Sequence, residues 1–166
     1  SLIFTDPPYN KECIPYYEQL AKEAVRVLKP KGSLIAYAGH YALPEILSSM
    51  SKHLRYWWMI ALKHNGGNKR FPGKWVYIGY KPLVWFVKGG RSNENFVSDL
   101  FEGSSQDKSL YEWQQDTSEA AYYIEQLTEP GELIVDPFLG SGTTLEAALN
   151  LGRQGWGCDN NKERTA

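Results

Sequence analysis

Short apolar runs and helically spaced apolar residues alternate along the chain, and several of the runs are apolar throughout. Continuous apolar runs are typical of strands buried on both faces of a parallel sheet. They predict strands at Leu2–Phe4, Leu34–Tyr37, Arg55–Leu62, Leu83–Val87, Leu133–Val135 and Gln154–Cys158. Helical spacing predicts helices over Ile14–Leu28, Leu43–Met50, Ser118–Leu127 and Thr143–Leu151. This alternation predicts an α/β fold, with a mostly parallel sheet covered by helices on both faces.

Length and composition narrow the class of protein. A chain of 166 residues with 42% hydrophobic residues fits one folded domain. The net charge of −1 neither requires nor excludes a nucleic-acid partner. No apolar run of membrane-spanning length and no leader peptide is visible, so we expect a cytoplasmic protein. Cys13 and Cys158 lie far apart without metal-ligand spacing, which predicts two reduced thiols and no metal site.

A glycine-rich turn, Asp136-Pro137-Phe138-Leu139-Gly140-Ser141-Gly142-Thr143-Thr144, joins a predicted strand to a predicted helix. Glycines allow a sharp turn and close approach to a ligand, and the helix start offers free N–H groups. Asp159 follows about 20 residues later, at the end of the next strand, where a carboxylate can accept both hydroxyls of a ribose. Because the turn lacks a third glycine and a following lysine, it favours an adenosine ligand without phosphates.

A second turn, Asp6-Pro7-Pro8-Tyr9, directly follows the first strand. An exocyclic amine of a nucleobase is a poor nucleophile because its lone pair is delocalised into the ring. Acceptors for both N–H bonds free that lone pair, and the Asp6 carboxylate and the Pro7 carbonyl are suitable acceptors. Tyr9 offers a face on which an extruded base stacks. Both turns fall at strand ends, where ligands of such sheets bind.

Together the two turns resemble those of the DNA amino-methyltransferases, which modify adenine N6 or cytosine N4. Asp6-Pro7-Pro8-Tyr9 matches the catalytic motif, and Asp136 to Thr144 matches the S-adenosylmethionine motif. Their order is similar to that of the beta group, and the aspartate favours adenine. The resemblance implies a Rossmann-like methyltransferase fold, with S-adenosylmethionine as cofactor and DNA as partner. It further implies that Phe138 and Gly140 line the cofactor and that Asp159 holds the ribose.

The resemblance has two departures. Trp113–Ser118 replaces a His-Pro-Thr-x-Lys-Pro segment that contacts the methionine end of the cofactor, and Thr117 or Ser118 could substitute. The edge strand that normally holds the cofactor's adenine is missing together with its helix. We therefore expect residues 1–166 to form a single methyltransferase domain that is a fragment of a longer protein.

Basic residues concentrate in the middle of the chain. From Ile46 to Asn93 there are nine lysines and arginines and no aspartate or glutamate. The loop at 63–75 mixes cations, amides and aromatics, as expected for phosphate and base contacts. The predicted DNA contacts in it are Lys63, Lys69, Arg70 and Lys74. For His40 and His64 we expect surface or packing roles.

The residues leave alternatives open. Cytosine N4 is the nearest, because the same acceptors serve that amine, and an RNA or protein amide is a further option. A module that binds nucleic acid or cofactor without catalysis is the alternative from a different class. The recognition sequence, the oligomeric state and an accompanying restriction nuclease are not predicted.

Overall fold

The computed structural model describes residues 1–8, 10–63, 69–91, 95–102 and 118–159. The strands are β1 (Leu2–Thr5), β2 (Ser33–Tyr37), β3 (Arg55–Lys63), β4 (Lys69–Phe71), β5 (Val76–Ile78), β6 (Tyr80–Val87), β7 (Leu100–Glu102), β8 (Leu133–Asp136) and β9 (Gln154–Gly157). The α-helices are α1 (Ile14–Val27), α2 (Leu43–Met50), α3 (Ser118–Leu127) and α4 (Thr143–Asn150). Short 3-10 helices lie at Lys11–Cys13, His40–Ala42 and Pro72–Lys74.

Seven strands form one sheet in the order β7-β3-β6-β2-β1-β8-β9. β1 pairs in parallel with β2 and β8, and β8 pairs in parallel with β9. β6 is antiparallel to both β2 and β3, so β3 runs in the same direction as β2. Within the described ranges β6 alone runs against the other strands of this sheet, which confirms the predicted mostly parallel arrangement.

Helices cover both faces of the sheet, as the sequence predicts. Side chains alternate between the two faces along a strand, so Leu2 and Phe4 lie on the face of α3 and α4. Ile3 lies on the opposite face, with α1 and α2. All four residues of β1 are buried, as expected for a strand that helices cover on both faces. None of the helices in the described ranges is long and apolar enough to cross a membrane.

The structure adds strands that the sequence did not predict. β4 and β5 form a separate two-stranded hairpin inside the glycine-rich connection between β3 and β6. β7 pairs in parallel with β3 at the sheet edge. Each of these strands is three residues long. A three-residue run is too short for a periodic pattern, so its strand conformation depends on a partner distant in sequence.

One edge of the sheet collects the chain segments that matter for function. β1, β2, β3, β8 and β9 end there, and β6 begins there because it runs in the opposite direction. We call this the carboxyl edge. The Asp6 turn, the glycine-rich turn and the connection that carries the β4–β5 hairpin all leave the sheet at the carboxyl edge.

Candidate functional site

The glycine-rich turn is built by two residues with left-handed backbone conformations. Gly140 has φ of 52° and Gly142 has φ of 83°, values at which a side chain would be strained. Gly142 stands immediately before α4, and its N–H donates to the Leu139 carbonyl over 2.9 Å. The two glycines thus turn the chain from β8 into the start of α4 within six residues.

Asp136 fastens this turn to the neighbouring strand. Its Oδ1 accepts a hydrogen bond from the Thr5 hydroxyl at 2.6 Å and one from the Phe138 N–H at 3.1 Å. The side chain is buried, and burial raises its pKa, while the hydrogen bonds from Thr5, Thr144 and Phe138 act in the opposite direction. Asp136 therefore joins the ends of β1 and β8 and fixes the position of both turns.

Asp159 closes the other side of the same turn. Its Oδ2 accepts a hydrogen bond from the Gly140 N–H at 2.9 Å. The Leu139 N–H donates to the Cys158 carbonyl over the same distance. The end of β9 is thus held against the glycine-rich turn, and the Asp159 carboxylate stands beside Gly140.

Two cavities open at the carboxyl edge and share Asp6, Phe138 and Gly140 in their walls. The larger has a volume of about 800 Å³. Pro8, Tyr16 and further apolar side chains line it, together with Asp159. The Tyr16 and Phe138 rings lie 6.3 Å apart between centroids, so an aromatic pair forms part of its wall. This cavity has the size and lining expected of a small-ligand site.

The smaller cavity, of about 320 Å³, is polar. It lies between the Asp6 turn, the start of α3 and the start of α4, and it is lined by Tyr37, Lys81, Glu119, Asp136, Ser141, Thr143 and Thr144 among others. The Lys81 ammonium is 3.6 Å from Asp6 Oδ2 and 4.7 Å from the centre of the Tyr37 ring. The Tyr37 hydroxyl donates to Glu119 Oε1 over 2.9 Å. A chain of contacts therefore runs from Asp6 through Lys81 and Tyr37 to Glu119.

The comparisons with known proteins agree with this architecture. Residues 118–166 match the family model described as DNA methylase. The type II methyltransferase M.BglII of Bacillus subtilis is 23% identical over 98% of this chain. The putative methylase YubD of Escherichia coli is 23% identical over 92% of it. This chain spans 60% of the length of M.BglII and 72% of that of YubD.

Two solved structures superpose on nearly the whole chain. A complex of M1.HpyAVI with SAM gives a TM-score of 0.74 at 23% identity, over 99% of this chain and 84% of that one. The cytosine-N4-specific PvuII DNA methyltransferase gives 0.77 at 18% identity, over 99% and 76%. The chain has the fold of these two proteins, one of which is a DNA methyltransferase. Its Rossmann-like α/β architecture is the one predicted from the sequence.

Within this methyltransferase fold, the predicted site residues gather at the carboxyl edge. Those that line the larger cavity are Asp6, Pro8, Pro137, Phe138, Gly140 and Asp159. Those that line the smaller one are Asp6, Asp136, Phe138, Gly140, Ser141, Thr143 and Thr144. Pro7, which lies between Asp6 and Pro8, is buried, and Gly142 immediately precedes α4; neither is among the residues that line the cavities. Tyr9 lies outside the described residues, so its stacking role stays a prediction.

The predicted DNA contacts lie on the connection that leaves β3. Lys63 ends β3 and forms an ion pair with Glu102 at 2.9 Å. Arg70 is exposed and places its guanidinium 5.8 Å from the centre of the Tyr77 ring, and Lys74 is exposed at the hairpin tip. Lys69 begins β4, but its side chain is outside the description. Among the described residues no group of three or more His, Cys, Asp and Glu side chains is arranged to hold a metal.

His40 has a packing role of the kind that the sequence predicts. Its Nε2 lies 2.8 Å from the Tyr80 carbonyl oxygen, and its ring stands edge-on to the Tyr80 ring at 4.8 Å. His64 lies outside the described residues.

Sequence patterns did not identify four residues that line the two cavities, namely Tyr16, Tyr37, Lys81 and Glu119. They also did not identify Thr5, which supports the glycine-rich turn through Asp136. Thr5 and Tyr37 end strands β1 and β2, and Glu119 opens α3, so each had a positional signal. Lys81 had none, because only the antiparallel course of β6 brings it to Asp6.

Proposed function

We propose that this chain is the catalytic domain of a DNA methyltransferase that transfers a methyl group from S-adenosylmethionine to the N6 amine of adenine. The observation that carries the proposal is the shared wall of the two cavities. Asp6 of one turn and Phe138 and Gly140 of the other line both. The glycine-rich turn, which we assign to the nucleoside, and Asp6, which we assign to the target amine, thus border the same two cavities. The match of residues 118–166 to the DNA methylase family supports the same assignment.

The two cavities suit the two ends of S-adenosylmethionine. The larger one offers Phe138 and Pro8 as apolar surfaces for an adenine ring and Asp159 as an acceptor for ribose hydroxyls. The smaller one offers the Glu119 carboxylate for an ammonium group and the start of α4 for a carboxylate. Because no lysine follows Gly140 and Gly142, the turn does not favour a phosphate group, and S-adenosylmethionine has none. We assign to Glu119 the contact with the methionine end that the sequence suggested for Thr117 or Ser118; Thr117 lies outside the described residues.

Asp6 is the residue we assign to the target amine. Its carboxyl group is about half exposed, so a base that enters the cavity can reach it. The buried Pro7 fixes the backbone whose carbonyl is the second acceptor. The Lys81 ammonium lies 3.6 Å from Asp6 Oδ2, and this ion pair holds the carboxylate at the wall of the cavity. When bound, S-adenosylmethionine supplies an electrophilic sulfonium methyl, and the amine nitrogen that gains this methyl releases one proton.

Adenine is favoured over cytosine by the aspartate that precedes the two prolines. Cytosine N4 is the second candidate, because the PvuII enzyme with the same fold is cytosine-N4-specific. Hydrolysis of treated DNA to nucleosides, followed by mass spectrometry, distinguishes the products. N6-methyl-2'-deoxyadenosine supports the proposal, and N4-methyl-2'-deoxycytidine contradicts the choice of base while it leaves the enzyme class intact.

The proposal is tested by Asp6→Ala and Asp6→Asn in the full-length protein. Loss of one hydrogen-bonding group that stabilises developing charge costs about 10²–10³-fold in kcat, so we expect Asp6→Ala to lower methyl transfer to duplex DNA by at least that factor. Calorimetry is expected to show nearly unchanged binding of S-adenosylmethionine. Glu129→Ala is the matched control, because Glu129 is an exposed acid near the start of β8, at the opposite edge of the sheet. Turnover by Asp6→Ala close to that of Glu129→Ala would show that Asp6 does not hold the amine.

A further inference from the structure

The β4–β5 hairpin carries an unusual residue at its tip. Trp75 follows the 3-10 turn Pro72–Lys74 and has φ of 56° and ψ of 36°, in the left-handed region. Its side chain is 93% exposed. A non-glycine residue in this region costs of order 1–3 kcal/mol and persists only where its surroundings or its function require it. Because the indole is exposed, its burial does not offset this conformational cost, and Trp75 does not stabilise the domain through packing.

The rest of the hairpin has the same character. Val76 and Tyr77 on β5 are both more than half exposed, and Tyr77 stands opposite Arg70 on β4. Two-stranded hairpins are marginally stable in water without further packing. A small, isolated hairpin that exposes an indole, a phenol and cations is therefore poor as a structural element and well suited as a contact surface.

The position of the hairpin relates it to Asp6. It is inserted between Lys63 and Tyr80, which pair with each other at the carboxyl edge. Lys81, the next residue, contacts Asp6 at 3.6 Å. Trp75 precedes Lys81 by six residues, and six extended residues span at most about 20 Å. Trp75 therefore lies within the length of about six base-pair steps of about 3.4 Å from Lys81, so a single duplex can contact Asp6 and Trp75 together.

The chemistry of the hairpin matches double-stranded DNA. Arg70 and Lys74 flank the tip in a segment, Ile46 to Asn93, that contains no acidic residue. Cations neutralise phosphates, while an exposed indole stacks on base faces. Side chains that enter a base step unstack it, and extrusion of a base leaves neighbouring base faces without a partner. A duplex with one base extruded presents both phosphates for the cations of the hairpin and open base faces for its indole.

We propose that Trp75 inserts into the duplex next to the target base and stacks on the bases that its extrusion leaves uncovered. The proposal rests on the proposed function, since it assumes that a base reaches Asp6. It adds a residue for the extrusion step, separate from the residues that hold the amine. By this assignment, Trp75 affects how readily the base leaves the helix and has no part in methyl transfer itself.

The experiment compares Trp75→Ala and Trp75→Phe in the full-length protein, on a duplex that contains the target site found by sequencing methylated DNA. A second duplex carries a mismatch opposite the target adenine, so that the base is already loosely held. On the paired duplex we expect Trp75→Ala to lower kcat/KM by about 5- to 150-fold, the range that alanine substitution gives for base stacking. On the mismatched duplex the loss is expected to shrink to a few-fold. Trp75→Phe retains a stacking ring and should lie close to wild type on both.

A second readout follows extrusion directly. With 2-aminopurine at the target position, the wild-type protein is expected to raise its fluorescence on binding, and Trp75→Ala to raise it much less. Phe96→Ala is the matched control, because Phe96 is also fully exposed but precedes β7, on the side away from the carboxyl edge. This variant should behave as wild type in both assays.

Several outcomes would overturn the proposal. Wild-type kcat/KM in Trp75→Ala on the paired duplex, or an equal loss on both duplexes, would exclude a role in extrusion while leaving the proposed methylation intact. Loss of binding to vesicles of anionic phospholipid, with unchanged 2-aminopurine signals, would assign the indole to a membrane surface instead. Failure of the wild-type protein to methylate either duplex would contradict the proposed function itself, and is distinguished by the absence of any product.

Discussion

At the scale of single residues, the site depends on a few buried polar contacts between the two turns. Asp136 is 3% exposed and is shared between them, since it accepts from Thr5 on one side and from Phe138 on the other. A buried carboxylate is costly unless hydrogen bonds compensate it. Asp136 is therefore a structural acid, and Asp6, more exposed and open to both cavities, is the acid available for chemistry.

Thr5→Val tests this division of roles. Burial raises the pKa of Asp136 in the folded protein, so the folded chain takes up this proton at a higher pH than the unfolded chain. The cost of burying the charge is thus absent at low pH and grows as the pH rises through the folded pKa. The Thr5 hydroxyl offsets part of that cost. We expect Thr5→Val to lower the free energy of unfolding by about 1.5–3 kcal/mol at about pH 8, and by less at about pH 4.

Urea denaturation at both pH values measures the difference. Thr5→Ser keeps the hydroxyl and serves as the control, with a smaller loss that does not depend on pH. An equal loss for Thr5→Val at both pH values would mean that Thr5 acts through packing alone.

At the scale of elements, Arg153 ties the helices of one face to β9. Its guanidinium donates to the carbonyl oxygens of Thr128, just after α3, and of Leu151, just after α4, over 2.6 and 2.7 Å. Its Nε donates to the Thr128 hydroxyl at 3.2 Å. Arg153 directly precedes β9, the strand that leads to Asp159. The end of α3 and the end of α4 are thus both fixed relative to the strand that forms the ribose side of the proposed site.

Arg153→Met tests whether this contact holds the elements together. The substitution removes the donor to the buried carbonyl oxygen of Thr128 and to the partly buried one of Leu151. We expect it to lower the free energy of unfolding by about 1–3 kcal/mol. Arg26→Met is the control, because Arg26 is exposed and pairs only with Glu23 on the same helix among the contacts described. Its cost should stay below about 0.5 kcal/mol. Similar values for the two variants in urea denaturation would contradict the structural role of Arg153.

At the scale of the whole molecule, charge is distributed unevenly along a nearly neutral chain. The basic segment passes from one edge of the sheet to the other and back, through β3 and β6. Lys52 and Arg55 lie at the start of β3, while Arg70 and Lys74 lie beyond its end. If DNA binds at the carboxyl edge, Arg70 and Lys74 contact phosphates. Lys52 and Arg55 then do not, because they lie at the opposite edge. The net charge of the chain therefore does not predict which basic residues contact DNA, since their position in the fold determines it.

The salt dependence of DNA binding tests this prediction. Each lost phosphate contact reduces the slope of log K against log salt by about 1, so Arg70→Ala with Lys74→Ala should reduce it by about 2. The double variant Lys52→Ala with Arg55→Ala removes the same charges at the opposite edge and should leave the slope unchanged. Binding of labelled duplex across a range of salt concentrations measures both. Equal slopes for the two double variants would place the DNA elsewhere.

The sequence by itself determined the features that depend on local backbone chemistry and periodicity. The apolar runs predicted β1, β2 and β8, the helical spacing predicted α1 to α4, and the prolines and glycines predicted the Asp6 turn and the glycine-rich turn. These patterns are local because each residue's conformational preference is set by its own side chain and near neighbours. The resemblance of the two turns to known motifs then supplied the fold and the proposed chemistry.

Only the tertiary structure decided which residues stand beside those turns. Lys81 reaches Asp6 because β6 runs antiparallel between β2 and β3, and Glu119 reaches Tyr37 because α3 covers the same face as that strand's end. The β4–β5 hairpin and the exposure of Trp75 likewise follow from pairing between three-residue strands. Such contacts join residues distant in sequence, so no local pattern contains them, and they form only when the strand order of the complete sheet is fixed.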